Sequence, residues 1–374
     1  MQRILFCTDF LLAGGVERQL TELITRLDPS EFQIEVICLY ATKTGRTLHF
    51  APQLEAYNIP LQILNLKMNP LAKLKALLTI TAACWRFRPH VLHPVNYHSN
   101  LFTRLSRPFL PPSTKLIGTV RVEYTPKQLL YERFSQWACR KMICNSPHIQ
   151  QQLINVARIP NQKIRIIPNG VDIERFRNAN GDDIRSKIAP NSTKLFLSVG
   201  RISKQKAQHH IVEAIGKLKA TNRLNSNFHL ILMGEVEESG IQNKIEMLIK
   251  QYNLSEIVSQ LSSTPHPEQY YQAADVTVLF SDYEGLPNVV LESLAAGKPV
   301  IISEQANAAK IIEDNQTGWI VRSGDIEHLA EIIATVMNLS IDTLIVMREA
   351  CFQRAQDFAM GNMIAQYTTL YHTL

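Results

Sequence analysis

The stretch "SDYEGLPNVVLESLAAGKPV" (residues 281–300) contains two glutamates, Glu284 and Glu292, separated by a predicted turn. The run "DVTVLFS" (275–281) before it is apolar and β-branched, which predicts a buried strand with Glu284 at its carboxyl end. Pro287 is tolerated in the first turn of a helix, where its missing N–H is not needed. The stretch therefore predicts a strand, a sharp turn and a helix, with a carboxylate on each side of the turn.

This turn has the features of a binding site. Gly285 permits an unusual backbone angle, and the backbone amides of 285–289 at a helix N-terminus suit an anion or a polar sugar. Glu292 lies roughly 6–8 Å further along the helix, at about 1.5 Å per residue. Two carboxylates at that separation can accept hydrogen bonds from two sets of hydroxyls, one on a sugar and one on a ribose.

The same alternation of short apolar runs and amphipathic stretches extends over the whole chain, beginning with "RILFCTD" (3–9). This pattern predicts α/β structure with parallel sheets covered by helices on both faces. The polar segment 177–193 is expected to be a linker, and a second series of strands and helices begins at residue 194. In such sheets ligands bind at the carboxyl ends of the strands.

Composition limits the class of protein. The 374 residues suit two or three domains, and no apolar run reaches the ~18 residues that a membrane helix needs. The six cysteines form no C-x-x-C motif, so we expect buried free thiols and no metal site. A cytoplasmic location is expected.

Charge is distributed unevenly. Residues 1–170 have 21 Lys and Arg against 9 Asp and Glu, a net +12, so the remaining residues have 39 − 21 = 18 against 33 − 9 = 24, a net −6. Between Lys67 and Arg165 there are 16 basic and two acidic residues. The basic half predicts an anionic partner, such as a membrane surface or a phosphorylated acceptor, with a merely solvated face as the alternative. No nucleic-acid recognition module is present, so nucleic acid is not an expected partner.

The segment "EGLPNVVLE" (284–292) resembles the E-x7-E motif of the retaining glycosyltransferases of family 4, which have the GT-B fold. The similarity covers nearly the whole chain through segments in the family's order. They are "GGVERQLTEL" (14–23), "CNSPHIQQQL" (144–153), "IPNGVD" (167–172), "SVGRISKQKA" (198–207) and "QTGWIV" (316–321).

The resemblance assigns roles by position. Arg201 and Lys206 would hold the donor's diphosphate, Glu292 would bind the ribose hydroxyls, and Glu284 would orient the donor sugar. The implied donor set is Gly14, Gly15, Arg201, Lys206, Glu284, Gly285, Leu286, Pro287, Asn288 and Glu292. The implied catalytic set is Glu284, Arg201, Lys206 and Arg121. No D-x-D pair follows a predicted strand, which agrees with transfer that is independent of metal.

Two positions depart from the family's pattern. The lysine is followed by Ala207 where glycine is usual. Arg121 stands after the strand "LIGTV" (116–120), where the family often has histidine. His93 and His98, at the end of the preceding strand, are therefore additional candidates with Arg121 for the acceptor side.

The resemblance implies two doubly wound Rossmann-like domains facing a cleft, with a C-terminal helix returning to the N-terminal domain. We expect an acceptor-binding domain at 1–170, a nucleotide-sugar-binding domain at 171–355 and the returning helix at 356–374. The implied function is transfer of a sugar from a UDP- or GDP-linked donor to a saccharide or lipid-linked acceptor, with retention and no further cofactor. This fits surface polysaccharide, lipopolysaccharide or glycolipid assembly by a protein peripheral to the inner membrane face. The alternatives are a nucleotide-sugar epimerase of the same fold and a binding protein without activity.

Overall fold

The computed structural model describes residues 1–41, 48–66, 70–190, 194–224 and 227–374, with the backbone alone at 70 and 71. Lys67, the first residue of the basic stretch, and the end of the predicted linker at 191–193 lie outside the described residues. The chain divides into two compact units. Unit 1 comprises Met1–Asn169 with Gly361–Leu374, and unit 2 comprises Gly170–Met360.

Unit 1 is built on a parallel sheet, with seven strands in its described residues. They are β1 (Gln2–Thr8), β2 (Phe32–Cys38), β3 (Leu61–Ile63), β4 (Val91–Pro94), β5 (Lys115–Val120), β6 (Lys141–Cys144) and β7 (Ile164–Ile166). The spatial order is β3-β2-β1-β4-β5-β6-β7, and every neighbouring pair is parallel. Strands β2 and β3 are added on one side of β1, and β4 to β7 are then added in order on its other side. The switch point of this sheet therefore lies between β1 and β4.

Helices connect these strands. They are α1 (Gly15–Arg26), α2 (Ala51–Ala56), α3 (Pro70–Phe87), α4 (Tyr97–Ser106), α5 (Pro126–Ser135) and α6 (Pro147–Asn155). One apolar core joins the sheet to α3, α4, α5 and α6, through residues such as Leu5, Cys84, Phe102, Leu129 and Leu153. The sheet is therefore covered on this face by four helices.

Unit 2 repeats the architecture, with six strands among the residues described for it. They are β8 (Lys194–Val199), β9 (Phe228–Met233), β10 (Val258–Leu261), β11 (Val276–Leu279), β12 (Val300–Ser303) and β13 (Gly318–Val321). The order is β10-β9-β8-β11-β12-β13, again with parallel neighbours throughout. The prediction of two doubly wound parallel sheets is thus confirmed.

The helices of unit 2 flank this sheet. They are α7 (Ile173–Arg177), α8 (Asp182–Ile188), α9 (Gln208–Ala220), α10 (Ser239–Gln251), α11 (Pro267–Ala273), α12 (Asn288–Ala295), α13 (Ile326–Met337) and α14 (Ile341–Gln356). The last helix, α15 (Met360–Thr373), belongs almost entirely to unit 1. The expected return of the C-terminal helix to the N-terminal domain is therefore observed.

The prediction of a linker at 177–193 was wrong where α8 forms. Acidic Asp182 and Asp183 occupy its first turn and basic residues its last, which complements the helix dipole. Ile184 packs against the unit 2 core, and Arg185 Nη2 lies 3.0 Å from Asp275 Oδ2. A segment with little apolar character is therefore held as a helix by contacts that its composition does not reveal.

Two further expectations concern the whole chain. All six cysteines, which lie within the described residues, are free and buried. No single described helix is long and apolar enough to span a membrane. Among the described helices, α13 and α14 reach that length and apolar composition only when taken together, and they are bent by 110° relative to each other.

Candidate active site

The switch point of the unit 2 sheet lies between β8 and β11, which are parallel neighbours. Beyond the carboxyl end of β8 the chain forms the loop 200–207, and beyond β11 it forms the loop 280–287. Two hydrogen bonds join these loops. The Asp282 N–H donates to the Gln205 carbonyl at 2.9 Å, and Gln205 Nε2 donates to the Tyr283 carbonyl at 3.0 Å. The two sequence motifs singled out for the donor therefore lie side by side.

Lys206 and Glu284 form an ion pair across these loops. Lys206 Nζ lies 2.5 Å from Glu284 Oε1, and the side chains are only 13% and 10% exposed. The cation expected at a diphosphate and the carboxylate expected at a sugar are thus bonded to each other. A diphosphate bound here would have to share Lys206 with Glu284.

Arg201 is also paired with a carboxylate. Its Nη1 lies 2.5 Å from Oε2 of Glu237, which follows β9, and its Nη2 donates to Gln205 Oε1 at 3.4 Å. Sequence analysis did not identify Glu237. The available signal was the acidic run "EVEE" (235–238) directly after a buried strand that neighbours β8.

Glu292 is held from a second helix. It lies on α12 and is buried, and its Oε2 accepts a hydrogen bond of 2.9 Å from the hydroxyl of Tyr271. Tyr271, on α11, is fully buried and was also missed from the sequence. This bond fixes one carboxylate oxygen, so Glu292 is positioned before any ligand arrives.

The turn before α12 differs in one detail from its prediction. Pro287 is the residue preceding the helix, which begins at Asn288, because the proline has an extended backbone with φ −73° and ψ 118°. Gly285 and Leu286 are buried, and Leu286 belongs to the apolar core of unit 2. The Leu286 side chain therefore holds the turn against the core, and a ligand at this turn would meet backbone groups.

Ala207 has a left-handed backbone, with φ 48° and ψ 33°, immediately before α9. The glycine that the family usually has at this position would adopt this conformation without a Cβ penalty. The departure noted in the sequence is therefore a site of backbone strain.

Two residues predicted for the acceptor side of unit 1 are buried. His93 is 1% exposed, with Nδ1 2.8 Å from the Tyr371 hydroxyl and Nε2 2.9 Å from Thr119 Oγ1. Burial, together with the nearby Arg121, holds the pKa of His93 well below its usual range. His93 is therefore a neutral ring that supports α15.

Arg121 is 5% exposed. Its Nη1 donates to Asn169 Oδ1 at 2.8 Å and its Nη2 to the Tyr367 hydroxyl at 2.6 Å. Both partners belong to unit 1. In this structure the guanidinium joins β5, the end of the N-terminal segment and the C-terminal helix, and it is not displayed to solvent.

His98 is the predicted acceptor-side residue that solvent reaches, with 33% of its side chain exposed. It lies in the first turn of α4 at the switch point of the unit 1 sheet, and its Nδ1 is 3.4 Å from Asp9 Oδ2. Asp9 follows β1 and accepts from the backbone N–H groups of His98 and Ser99 at 3.0 and 2.6 Å. Asp9, a carboxylate directly after a strand, was overlooked in the sequence.

The glycine pair at the start of α1 is shielded by a carboxylate. Gly14 precedes the helix and Gly15 begins it. A Cβ on Gly14 would clash with Glu17 Oε2, so the Glu17 carboxylate covers this helix N-terminus. A phosphate approaching these glycines would meet that negative charge, and Glu17 would have to turn away.

No group of three or more His, Cys, Asp or Glu side chains suited to a metal ion occurs among the residues that the structure describes.

Known families match the two halves of the chain in turn. The family model described as "Glycosyltransferase Family 4" matches residues 13–175, and the model described as "Glycosyl transferases group 1" matches residues 180–357. The chain belongs to the GT-B glycosyltransferases. The sequence motifs in both units therefore lie within regions that the family models recognise.

Among curated relatives, a putative colanic acid biosynthesis glycosyltransferase, WcaL of Salmonella typhimurium, is 29% identical over 224 residues. That match covers 58% of this chain and 52% of the relative, so the chain spans about half the length of that protein. The Escherichia coli UDP-Gal:alpha-D-GlcNAc-diphosphoundecaprenol alpha-1,3-galactosyltransferase is 23% identical over 91% of this chain and 88% of its own.

Solved structures share the fold of this GT-B chain. Anabaena Alr3699/HepE in complex with UDP superposes with a TM-score of 0.85 at 19% identity, over 100% of both chains. Identity this low shows the fold alone. The expected GT-B architecture is confirmed.

Proposed function

We propose that this protein transfers a sugar from a nucleotide-sugar donor to an acceptor hydroxyl with retention of anomeric configuration. The observation that carries the proposal is the group of Arg201, Lys206 and Glu284 at the β8–β11 switch point, with Glu292 nearby on the helix that follows. Two cations suit a diphosphate and two carboxylates suit the hydroxyls of a sugar and a ribose. A UDP-linked donor is favoured because the galactosyltransferase named above acts on UDP-Gal and the Anabaena structure contains UDP.

The reaction needs charge stabilisation more than a protein base. The acceptor oxygen forms a bond to the anomeric carbon while the bond from that carbon to the diphosphate breaks, its electron pair passing to the diphosphate. The acceptor proton is taken by the leaving diphosphate oxygen on the same face. Lys206 and Arg201 neutralise the charge that grows on the diphosphate, so transfer proceeds without a divalent ion.

Unit 1 would bind the acceptor in this scheme. His98 is partly exposed at the switch point of its sheet, whereas His93 and Arg121 are buried and hold α15. The net charge of +12 over residues 1–170 favours an acceptor with phosphate or an anionic lipid carrier at the inner membrane face. The named galactosyltransferase relative uses a diphosphoundecaprenol acceptor. We therefore place this protein in surface polysaccharide, lipopolysaccharide or glycolipid assembly.

Calorimetry against UDP, GDP and their sugar conjugates tests the donor site. We expect one nucleotide to bind, and Arg201→Ala and Glu292→Ala to weaken binding. Lys250→Ala is the matched control, because this exposed cation lies at the end of α10, away from the switch point. If no nucleotide binds the wild-type chain, the enzyme proposal fails.

Product analysis tests the reaction itself. Incubation of the nucleotide sugar with a lipid diphosphate saccharide should give a new glycoside with the donor's anomeric configuration, also when a chelator is present. Conversion of the donor sugar without acceptor would indicate an epimerase. Tight nucleotide binding with neither product would indicate a binding protein.

A further inference from the structure

Helix α3 has two apolar faces. One face is buried in the unit 1 core and includes Ala76, Ile80 and Cys84. Leu74, Leu78 and Trp85 lie elsewhere on the helix and are exposed. Steps of four and seven residues place these three side chains on one stripe of the helix. Helix α3 therefore packs on the sheet and also displays leucine and tryptophan to the outside.

The next helix continues the exposed apolar surface. Leu105, near the end of α4, and Phe109, in the 3-10 turn Arg107–Phe109, are both exposed. Trp85 Nε1 donates a hydrogen bond of 2.9 Å to the Phe109 carbonyl. This bond joins the α3 stripe to the end of α4, so these residues belong to one surface.

Helix α5 extends the surface on the other side of α4. Leu130, Phe134 and Trp137 are exposed at steps of four and three residues along α5 and the 3-10 turn Gln136–Ala138. The Tyr131 hydroxyl donates to the Leu101 carbonyl of α4 at 3.3 Å, so α5 lies against α4. We define the α3–α5 face as these eight exposed residues: Leu74, Leu78, Trp85, Leu105, Phe109, Leu130, Phe134 and Trp137.

The charges around the α3–α5 face are almost entirely positive. Its segments also contain the following cations: Lys73, Lys75, Arg107, Lys127, Arg133 and Arg140. Between Leu74 and Arg140 the acidic residues are Glu123 and Glu132, and Glu132 is fully buried with its Oε2 2.7 Å from Arg104 Nη1. Arg86 of α3 is paired with Glu35 of β2, and the surface otherwise combines large apolar side chains with an excess of cations.

We infer that the α3–α5 face inserts its leucine, phenylalanine and tryptophan side chains into the interfacial region of an anionic lipid bilayer, while the surrounding lysines and arginines bind the headgroups. Exposed aromatic and aliphatic side chains flanked by Lys and Arg are the pattern of a segment that lies in a membrane interface. Each cation near an anionic surface adds to the attraction. A protein partner is less well matched, because the cores of protein interfaces are depleted of lysine.

This inference deepens the membrane part of the proposed function and does not depend on the transfer reaction. It specifies that the apolar side chains of one face insert into the membrane. Net charge alone would predict only adsorption of the protein to the membrane surface. Nucleotide binding by unit 2 is measured without lipid, and vesicle binding is measured without nucleotide. A failure of the proposed transfer function can therefore be distinguished from a failure of the membrane inference.

The three tryptophans of the chain give the test its readout. Trp85 and Trp137 belong to the α3–α5 face, whereas Trp319 is buried in β13 of unit 2. Vesicles of equal parts phosphatidylcholine and phosphatidylglycerol should bind the full chain and shift its emission to shorter wavelength. Acyl-brominated lipid should quench Trp85 and Trp137 in variants that retain one of them with Trp319. The variant Trp85→Phe with Trp137→Phe should show almost no quenching.

Flotation with the same vesicles tests the side chains. Leu78→Ser with Phe134→Ser should weaken binding by about tenfold or more, because full burial of one such side chain already contributes more than this factor. The matched control is Ile341→Ser with Val346→Ser, two similarly exposed apolar residues on α14 of unit 2, which should bind as the wild type does. Lys127→Glu with Arg133→Glu should also weaken binding, whereas Lys250→Glu should not. Circular dichroism checks that each variant is folded.

Three outcomes would overturn the inference. One is absence of vesicle binding by the full chain. Another is binding that high salt abolishes and that occurs without quenching of Trp85 or Trp137, which would show adsorption by charge only. The third is a dimer in light scattering that Leu78→Ser with Phe134→Ser dissociates, which would assign the face to a second copy of this chain.

Discussion

Lys206 Nζ lies 2.5 Å from Glu284 Oε1, although the residues are separated by 78 positions in the chain. The pair is largely buried, where breaking one partner leaves an uncompensated charge. Each member is therefore held by the other until a ligand offers a substitute. A donor would supply both substitutes, since its diphosphate is an anion and its sugar hydroxyls are donors.

Glu284→Gln should separate the two effects of this carboxylate. Without its charge Lys206 is available to a diphosphate, so free nucleoside diphosphate should bind several-fold more tightly. Transfer should slow by about ten- to hundredfold, the equivalent of one hydrogen bond to a charged group. Calorimetry and initial rates measure the two quantities.

Glu327→Gln is the control for this change, because Glu327 pairs with Lys217 in an ion pair of unit 2 whose carboxylate is mostly exposed. Such pairs contribute little, so neither nucleotide binding nor rate should change. Weaker binding of the nucleoside diphosphate to Glu284→Gln would show that competition for Lys206 does not limit binding.

Tyr271 should act on the nucleotide only through Glu292. Its hydroxyl donates to Glu292 Oε2 at 2.9 Å from a fully buried position. Loss of this hydrogen bond should weaken donor binding by roughly 1 kcal/mol. Tyr271→Phe should therefore raise the KM for the donor by about fivefold or more and leave kcat nearly unchanged.

A ribose analogue distinguishes this role from general destabilisation. Glu292→Gln should weaken binding of the ribonucleotide and have little effect on its 2′,3′-dideoxy counterpart, because the lost interaction involves the hydroxyls. Tyr271→Phe should show the same selectivity in smaller degree. Equal losses for all nucleotides would remove Glu292 from the ribose.

Ala207→Gly should stabilise the protein. The residue has φ 48°, a left-handed conformation that costs a non-glycine residue about 1 kcal/mol. Unfolding in urea should show a gain of about 0.5–1 kcal/mol, reduced by the greater flexibility of glycine in the unfolded chain. Ala82→Gly, at an exposed position within α3, is the control and should lose about 1 kcal/mol. If Ala207→Gly also lowered the free energy of unfolding, packing of the Ala207 methyl group would contribute more stability than its backbone strain costs.

The local pattern of apolar residues was sufficient to predict the strand, turn and helix around residues 275–297. β11 ends at Leu279 and α12 runs from Asn288 to Ala295, with Gly297 in the left-handed region at φ 71°. Alternation of apolar runs depends only on neighbours in sequence. The short strand Leu61–Ile63 gave no such signal, because three residues contain too little periodicity.

Contacts between segments that are distant in the chain could not be predicted from the local pattern of apolar residues. Arg121 was expected at the acceptor, yet its hydrogen bonds reach Asn169 and, 246 positions away, Tyr367. His93 similarly contacts Tyr371 across 278 positions. A sequence pattern places these side chains at the ends of strands, but only the fold shows that the C-terminal helix covers them. Glu237 and Tyr271 were missed because their partners, Arg201 and Glu292, lie 36 and 21 positions away in the sequence.

Acidification should destabilise the protein through buried histidines. Burial holds the pKa of His93 well below its usual range and lowers that of His209 to about 4. Each ring is neutral when folded but takes up a proton near pH ~6.5 when unfolded. The stability that each contributes is therefore present above about pH 6.5 and declines as pH falls, by up to about 1.4 kcal/mol per pH unit for each histidine.

Urea titrations between about pH 7 and about pH 5 measure this slope, since both histidines titrate in that range on unfolding. His209→Gln should reduce the slope by about one proton, and His93→Gln should do the same even if it lowers stability throughout. His49→Gln, at an exposed position, is the control and should leave the slope as it is. A slope that neither His209→Gln nor His93→Gln changes would mean that these rings take up a proton in the folded protein as readily as in the unfolded chain. In that case the contact of His93 with the Tyr371 hydroxyl and Thr119 would be made by an imidazolium.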